Sequence, residues 1–308
     1  MPARVWDSVA PDERPLLHMK TTAYLRSKLA LYWPLIKSMQ TGLLLATGVA
    51  GYLSAHTPVD GAALLGLCAT LFLAIGGSTI LNMWYDHDID ARMQRTHKRP
   101  SAAGSLSQAE VLRLGLLLAV LGVGGAVMVH ALYGVVVFAG LFFDVVVYTL
   151  WLKRRTCWSI VWGGIAGAMP ILSGRVLAIG HVDVIGVLLA LSVLLWIPTH
   201  ILTFSLKYAD DYRRAGVPTF PSTHGAAATR GVIALSAVPA ALAIGWASVL
   251  IGVQAGYLRL IAVLAAGLLL LAFATFRVQS ERLSFGLFKY ASLYMLSSML
   301  ILSMQALA

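Results

Sequence analysis

Residues 61–82 read GAALLGLCATLFLAIGGSTILN, twenty-two positions without one charged side chain. As a helix rising 1.5 Å per residue this stretch is about 33 Å long, enough to cross a hydrocarbon core of about 30 Å. Polar and apolar residues do not alternate in it, so it is not one of the roughly ten-residue strands of a membrane β-barrel. Eight further apolar stretches lie near 33–54, 106–128, 131–151, 158–180, 184–206, 231–252, 256–276 and 286–307. Composition agrees with this reading. Of 308 residues, 59% are hydrophobic and 12% charged, about half the charged share of a soluble domain, and mean hydropathy is +0.80. An ordinary soluble enzyme is excluded, and the expected fold is all-α, a polytopic membrane bundle of nine transmembrane helices.

The net charge of +10 invites a nucleic-acid reading, but the basic residues sit in alternate links between spans. Arg92, Arg95, Lys98 and Arg99 follow the second span, Lys153 to Arg155 the fourth, Lys207, Arg213 and Arg214 the sixth, Arg277 and Arg282 the eighth. The remaining links, such as SAHTPVDG over 54–61, carry no Lys or Arg. That is the positive-inside pattern of a cell-membrane protein, with the basic links and N-terminus cytoplasmic and the C-terminus outside. Residues 1–30 form a polar cytoplasmic segment with Pro2, Pro11 and Pro15 and no apolar core ahead of a cleavage site, unlike a signal peptide. Residues 31–308 form the membrane domain, with long cytoplasmic loops at 83–105 and 207–230. Cys68 and Cys157 fall on different spans without metal-ligand spacing.

The two long loops look alike. DIDARMQRTHKRP over 88–100 and DDYRRAGVP over 210–218 both run from acids through arginines to a proline. Their likeness predicts two acidic clusters facing each other across a central cavity open to the cytoplasmic side. If the helix of 61–82 continues past the membrane edge, Asn82, Asp86 and Asp90 share one face at spacing i, i+4, i+8, and Asp88 points elsewhere. Asp210 and Asp211 form the second cluster, close to Lys207. Carboxylates beside arginines at a membrane edge suit a polyanion carried on Mg²⁺, which divides its shell between one or two carboxylates and substrate phosphates, while Arg grips the other phosphate oxygens. A solvated basic face accounts for Arg92, Lys98, Arg213 and Arg282 taken singly, but positive-inside orientation does not call for aspartates. Asp144 lies mid-span, where a charge facing lipid is costly, so it should face the interior with Tyr148 one turn along.

NMWYDHDID over 82–90, followed by Arg95-Thr96 and Arg99-Pro100, resembles the first signature of the UbiA-type intramembrane prenyltransferases, in the form carried by their heme-modifying branch. Tyr148-Thr149, LKRRT over 152–156 and GGIAGAMP over 163–170 are similar to that branch between its acidic motifs. Trp196, His200, Asp211-Tyr212 and AGVP over 215–218 resemble its second motif. The resemblance spans about half the chain. It implies a prenyltransferase that takes farnesyl diphosphate, with Mg²⁺ as cofactor, and adds the farnesyl group and water to a vinyl of heme B, giving heme O. Asp86, Asp90 and Asp211 would hold the metal and, with Asn82, form the catalytic set. Arg95, Arg99, Lys153, Arg154, Tyr148, Asp144, His200, Lys207, Asp210 and Tyr212 would contact substrates. The implied partners are the lipid bilayer and a heme A synthase or the oxidase assembly machinery, with no nucleic acid. A phenolic or quinone-precursor acceptor, a transporter with charged gates, and an inactive assembly factor on the same fold stay open at this point.

Overall fold

The computed structural model describes residues 26, 28–278 and 280–307, so the polar segment expected at 1–30 lies almost wholly outside the described residues. Among these residues the chain is helical, without strands. A 3₁₀ turn at Trp33–Ile36 leads into α1 (Ser38–Leu53). Next come α2 (Gly61–Tyr85), the short α3 (His87–Arg92), α4 (Gln108–Val129) and α5 (Ala131–Leu141), the last running on as a π-helix over Phe142–Leu152. Then follow α6 (Ser159–Ile179), α7 (Val184–Lys207), the short α8 (Ala209–Ala215), α9 (Phe220–Ile251), α10 (Ala255–Arg277) and α11 (Glu281–Leu307).

Eight of the described helices are long and apolar enough to cross a membrane. The first apolar stretch, 33–54, forms only sixteen residues of α1, about 24 Å of helix. Its start is interrupted by Pro34 and by Lys37, whose backbone is left-handed at φ 50°. Polar caps set several other beginnings. The side chains of Asp60, Ser107, Asp183 and Thr219 accept backbone N–H groups of α2, α4, α7 and α9, donors that would otherwise lack a partner. The 207–230 loop is itself largely helical. Hydropathy sees only apolar runs, so it misses α8 and the polar start of α9, which kinks at Gly225 (φ 81°).

With no hydrophobic drive between helices in lipid, close backbone approach does much of the packing. At the α1–α6 crossing a Cβ on Gly51 would collide with the carbonyl of Ile171, and one on Gly174 with that of Gly48. α2 packs on α4, α7 on α9, and α11 touches both α7 and α1, which closes the ring. One core gathers Ile171, Leu189, Ile233 and Leu268 from α6, α7, α9 and α10; another gathers Tyr52, Leu67, Leu71 and Tyr133 from α1, α2 and α5. Leu, Val and Phe side chains such as Val120, Leu270 and Phe273 point outward, as a lipid-facing surface requires.

Arg175 does not snorkel to water as a cation near a span end commonly does. It is buried at 6% exposure, makes two bonds to the Asp183 carboxylate at 2.8 and 2.7 Å, and donates to the Ser54 carbonyl at 2.8 Å. This clasp joins the α1–α2 and α6–α7 links.

Candidate active site

The acid-bearing motif begins where α2 ends. Asp86 N–H donates to the Asn82 carbonyl at 2.9 Å and Asp90 N–H to the Asp86 carbonyl at 2.8 Å, so the i, i+4, i+8 register survives the junction with α3. The carboxylates of Asp86 and Asp90 are buried, at 3% and 4% exposure, whereas Asp88 turns outward. Each acid holds a base. Asp86 pairs with Lys153 from the end of the π-helix, and Asp90 with Arg99 at 2.6 Å. Asp88 takes Arg154 at 2.7 Å and Arg92 at 2.9 Å, and the Arg154 bond holds its carboxyl down at about 2. Arg154 also lies over the Tyr85 ring and stands 3.7 Å from Asp86 Oδ1. Burial pulls the Lys153 ammonium down, but Tyr148 and Asp86 outweigh it and hold the group above the usual lysine range.

The second acidic motif meets the first. Asp211 is buried on α8, pairs with Arg214, and accepts the backbone N–H groups of Gln94 and Arg95 at 3.4 Å each. The Arg214 bond, against some burial, holds its carboxyl below the ordinary range. Under this link Ile89 and Met93 pack on Ala215 and Val217, with Tyr212 alongside. Asp211 thus ties the second loop directly to the backbone of the first, at Gln94 and Arg95. Asp210 behaves differently: it is 81% exposed and paired only with Arg213. Lys207 also points away from the acids, over the rings of Tyr208 and Phe285, while Arg95 lies over Tyr208 from the other loop.

Asn82 is turned toward the π-helix. Its Nδ2 donates to Asp144 Oδ2 at 2.9 Å, and its Oδ1 accepts from the Thr149 hydroxyl at 2.7 Å. Ser78, one turn earlier, donates to the same Asp144 oxygen at 2.6 Å. Asp144 thus faces the interior, and the wide turn lets Thr149 reach back to its carbonyl at 2.8 Å. Ser78 and Thr149 are small hydroxyls inside apolar runs and carry no signal in the sequence by themselves. Tyr148 packs on Gly163 and lies 5.6 Å below Lys153 Nζ. With Cys157, Ser205, Tyr212 and Phe220, these two line a pocket beside the Asp86 pair. His200 stands apart, in a ladder of rings with Trp196, Phe204 and Phe288 at 4.9–5.5 Å, its Nδ1 buried without a hydrogen-bond partner.

Among the described residues no three His, Cys, Asp or Glu side chains converge to hold a metal unaided. Mg²⁺ needs no such set, since phosphate oxygens and water complete its shell. The donors fit that ion: they are hard oxygens, and Asp86 Oδ1 is buried with no hydrogen bond.

Buried carboxylate–base pairs at one end of an apolar helical bundle define an integral membrane protein with a polar mouth lined by paired charges. The UbiA prenyltransferase family model matches residues 43–296, and the chain belongs to that family. It is 37% identical over 262 residues to a protoheme IX farnesyltransferase of Pyrobaculum neutrophilum, covering 85% of this chain and 94% of that one. A Ruegeria pomeroyi protein of the same name is 40% identical over 275 residues, 86% of each chain. One from Archaeoglobus fulgidus is 46% identical over 189 residues, 61% of this chain and 66% of that one. Among solved structures, digeranylgeranylglyceryl phosphate synthase superposes with TM-score 0.77 at 18% identity, over 91% of this chain and 99% of that one. An Archaeoglobus fulgidus UbiA homolog bound to DMAPP and Mg²⁺ gives 0.67 at 13% identity, over 88% and 99%. At these identities the structures establish the fold.

Proposed function

We propose that this protein transfers the farnesyl group of farnesyl diphosphate to a vinyl group of protoheme, with addition of water, to give heme O. The observation that carries the reading is the opposed, buried pairing of Asp86 with Lys153 and Asp90 with Arg99, joined to Asp211 across the two loops. The similarity to protoheme IX farnesyltransferases over most of both chains supports the acceptor.

Asp86, Asp90 and Asp211 would hold Mg²⁺, which supplies neutralisation of the charge that gathers on departing diphosphate. Lys153, Arg99 and Arg154 stand where they can give that same anion hydrogen bonds once released from carboxylates, and such preorganised donors lower the barrier to breaking the allylic carbon–oxygen bond. The bond's electron pair leaves with the diphosphate. The vinyl π electrons form the new carbon–carbon bond, and water captures the resulting cation and loses a proton. Asp144, fixed by Ser78 and Asn82, orients the polar end of α2 beneath the acids. The chain would cross a cell membrane nine times with its basic links cytoplasmic, and the heme product would pass to a heme A synthase or the oxidase assembly machinery.

The test is incubation of the purified protein with farnesyl diphosphate, Mg²⁺ and heme. Heme consumption with appearance of a hydroxyethylfarnesyl product is expected. Unchanged heme alongside farnesylation of a phenolic acceptor would assign the site to a different acceptor class.

A further inference from the structure

The water that captures the cation must give up a proton, and side chains able to take it are scarce inside the bundle. Among the described residues of the eight long apolar helices, Asp144 is the only Asp or Glu beyond the opening turns that hold Glu110 and Glu281. A carboxylate at such depth is costly, and where one occurs it marks a functional site. Its depth follows from helix register. Ser78 and Asn82 lie two turns and one turn before Asp86 on α2, about 12 and 6 Å inward along the axis, and both donate to Asp144 Oδ2, at 2.6 and 2.9 Å. A prenyl chain that enters the bundle from a diphosphate held at Asp86 and Asp90 has its allylic carbon one bond inside the phosphate, close to the level of Asn82.

The two oxygens of Asp144 are not equivalent. Oδ2 is clamped by both donors from α2, and the Thr149 hydroxyl fixes the backbone behind it at 2.8 Å. Oδ1 makes no hydrogen bond with any described residue, yet it is not sealed from water-sized space as Asp86 Oδ1 is. A half-buried carboxylate with one oxygen clamped presents the other as an acceptor for water. Tyr148, one turn along, lines the pocket beside the Asp86 pair. His200, also within a span, keeps its unpartnered Nδ1 buried in the ladder of rings.

We propose that Asp144 Oδ1 is the base of the hydration step. It accepts a hydrogen bond from the attacking water. As a lone pair of the water oxygen bonds to the cationic carbon next to the porphyrin ring, one O–H bond breaks and its proton passes to Oδ1, leaving a hydroxyethylfarnesyl group and a neutral carboxyl that returns the proton to solvent. This rests on the heme reading above and adds a catalytic residue to it. Without the base, the same cation loses a proton from the newly bonded carbon to the departing diphosphate and becomes an alkene. Asp144 therefore decides which product forms.

The test is mass-spectrometric analysis of the heme products formed by the full chain in detergent with farnesyl diphosphate, Mg²⁺ and heme, comparing the parent with Asp144→Asn and Asp144→Ala. The asparagine amide can keep its oxygen on Ser78 and Asn82 while turning NH₂ toward the water, so it removes the base and keeps the clasp. Alanine removes both and leaves room for a small carboxylate. In each variant the hydroxyethylfarnesyl product should fall roughly hundredfold, with the alkene, lighter by one water, as the main product. Added formate should restore the hydroxylated share in Asp144→Ala. A parent-like ratio of the two products in either variant overturns the proposal whatever the total rate, because a carboxylate that only positions α2 would lower both alike. Failure of formate to shift the ratio in Asp144→Ala overturns it as well. A parent chain that leaves heme unchanged overturns the heme reading and this proposal together, whereas hydroxylated product from the parent with an unaltered ratio in the variants overturns this proposal alone.

Discussion

Asp86 and Asp88 stand two residues apart and differ in everything that matters for chemistry. Asp86 is buried with one oxygen free of hydrogen bonds, whereas Asp88 is a surface carboxylate already satisfied by two arginines. Asp86→Asn should lower prenyl transfer by about a hundredfold or more, the scale of losing a group that stabilises transition-state charge. Asp88→Asn should stay within about tenfold; steady-state rates with farnesyl diphosphate check both. Asp211 makes a pH prediction. Its carboxyl is held below the unfolded value of about 3.9, chiefly by Arg214, so the stability it lends is complete above that value and is lost only as pH falls through the depressed one. Amide hydrogen exchange at Gln94 and Arg95 should therefore be as slow at pH 5 as at pH 7, after correction for intrinsic rates, and faster at both in Asp211→Asn. The spacing of Asn82, Asp86 and Asp90 was legible because helical register converts number into direction. That Asn82 would turn to Asp144 was not, because the partner lies sixty-two residues away on another helix.

At the scale of elements, hydropathy located the spans to within a few residues wherever an apolar run and a polar cap coincide, as at Val184 after Asp183. It did not foresee the shortening of the first span, since Pro34 and Lys37 sit inside an apolar average, nor the π-helix, whose sequence FFDVVVYTLWL looks like any other span. Such widened turns recur at functional sites, and this one brings Asp144, Thr149 and Lys153 against α2. The α1–α6 crossing is equally silent in hydropathy, because Gly51 and Gly174 read only as small residues. Gly174→Ala should lower thermal stability in detergent by about 1–3 kcal/mol, since its Cβ would meet the backbone of Gly48 rather than a movable side chain. An alanine at Gly245, with open space around it, should cost little in the same assay.

At the scale of the molecule, one end of the bundle carries the carboxylate–base pairs and the basic links, while Arg175 and Asp183 join two of the links that lack lysine and arginine. Single cysteines introduced at Lys98, Arg213 and Arg282 should be labelled from one side of sealed vesicles and one at Val59 from the other. Labelling of all four from the same side would break the nine-span topology. The Arg175 clasp was hidden from sequence reasoning because a basic residue near a span end commonly reaches for water.

The pairing of every mouth carboxylate with its own base has a thermodynamic outcome. Neither half of a metal diphosphate meets these paired groups unopposed: a lone divalent cation must displace ammonium and guanidinium groups from Asp86, Asp90 and Asp211, and a lone anion must draw Lys153, Arg99 and Arg214 off those acids. Each component removes the other's competitor, so their affinities are linked, and linkage is reciprocal. Mg²⁺ should bind the apo chain feebly and tighten by roughly tenfold or more once pyrophosphate is present, with pyrophosphate gaining the same factor from Mg²⁺. A titration of each in the presence and absence of the other measures that shared factor, which is the molecule's means of ignoring free phosphate and free cation while admitting the two together.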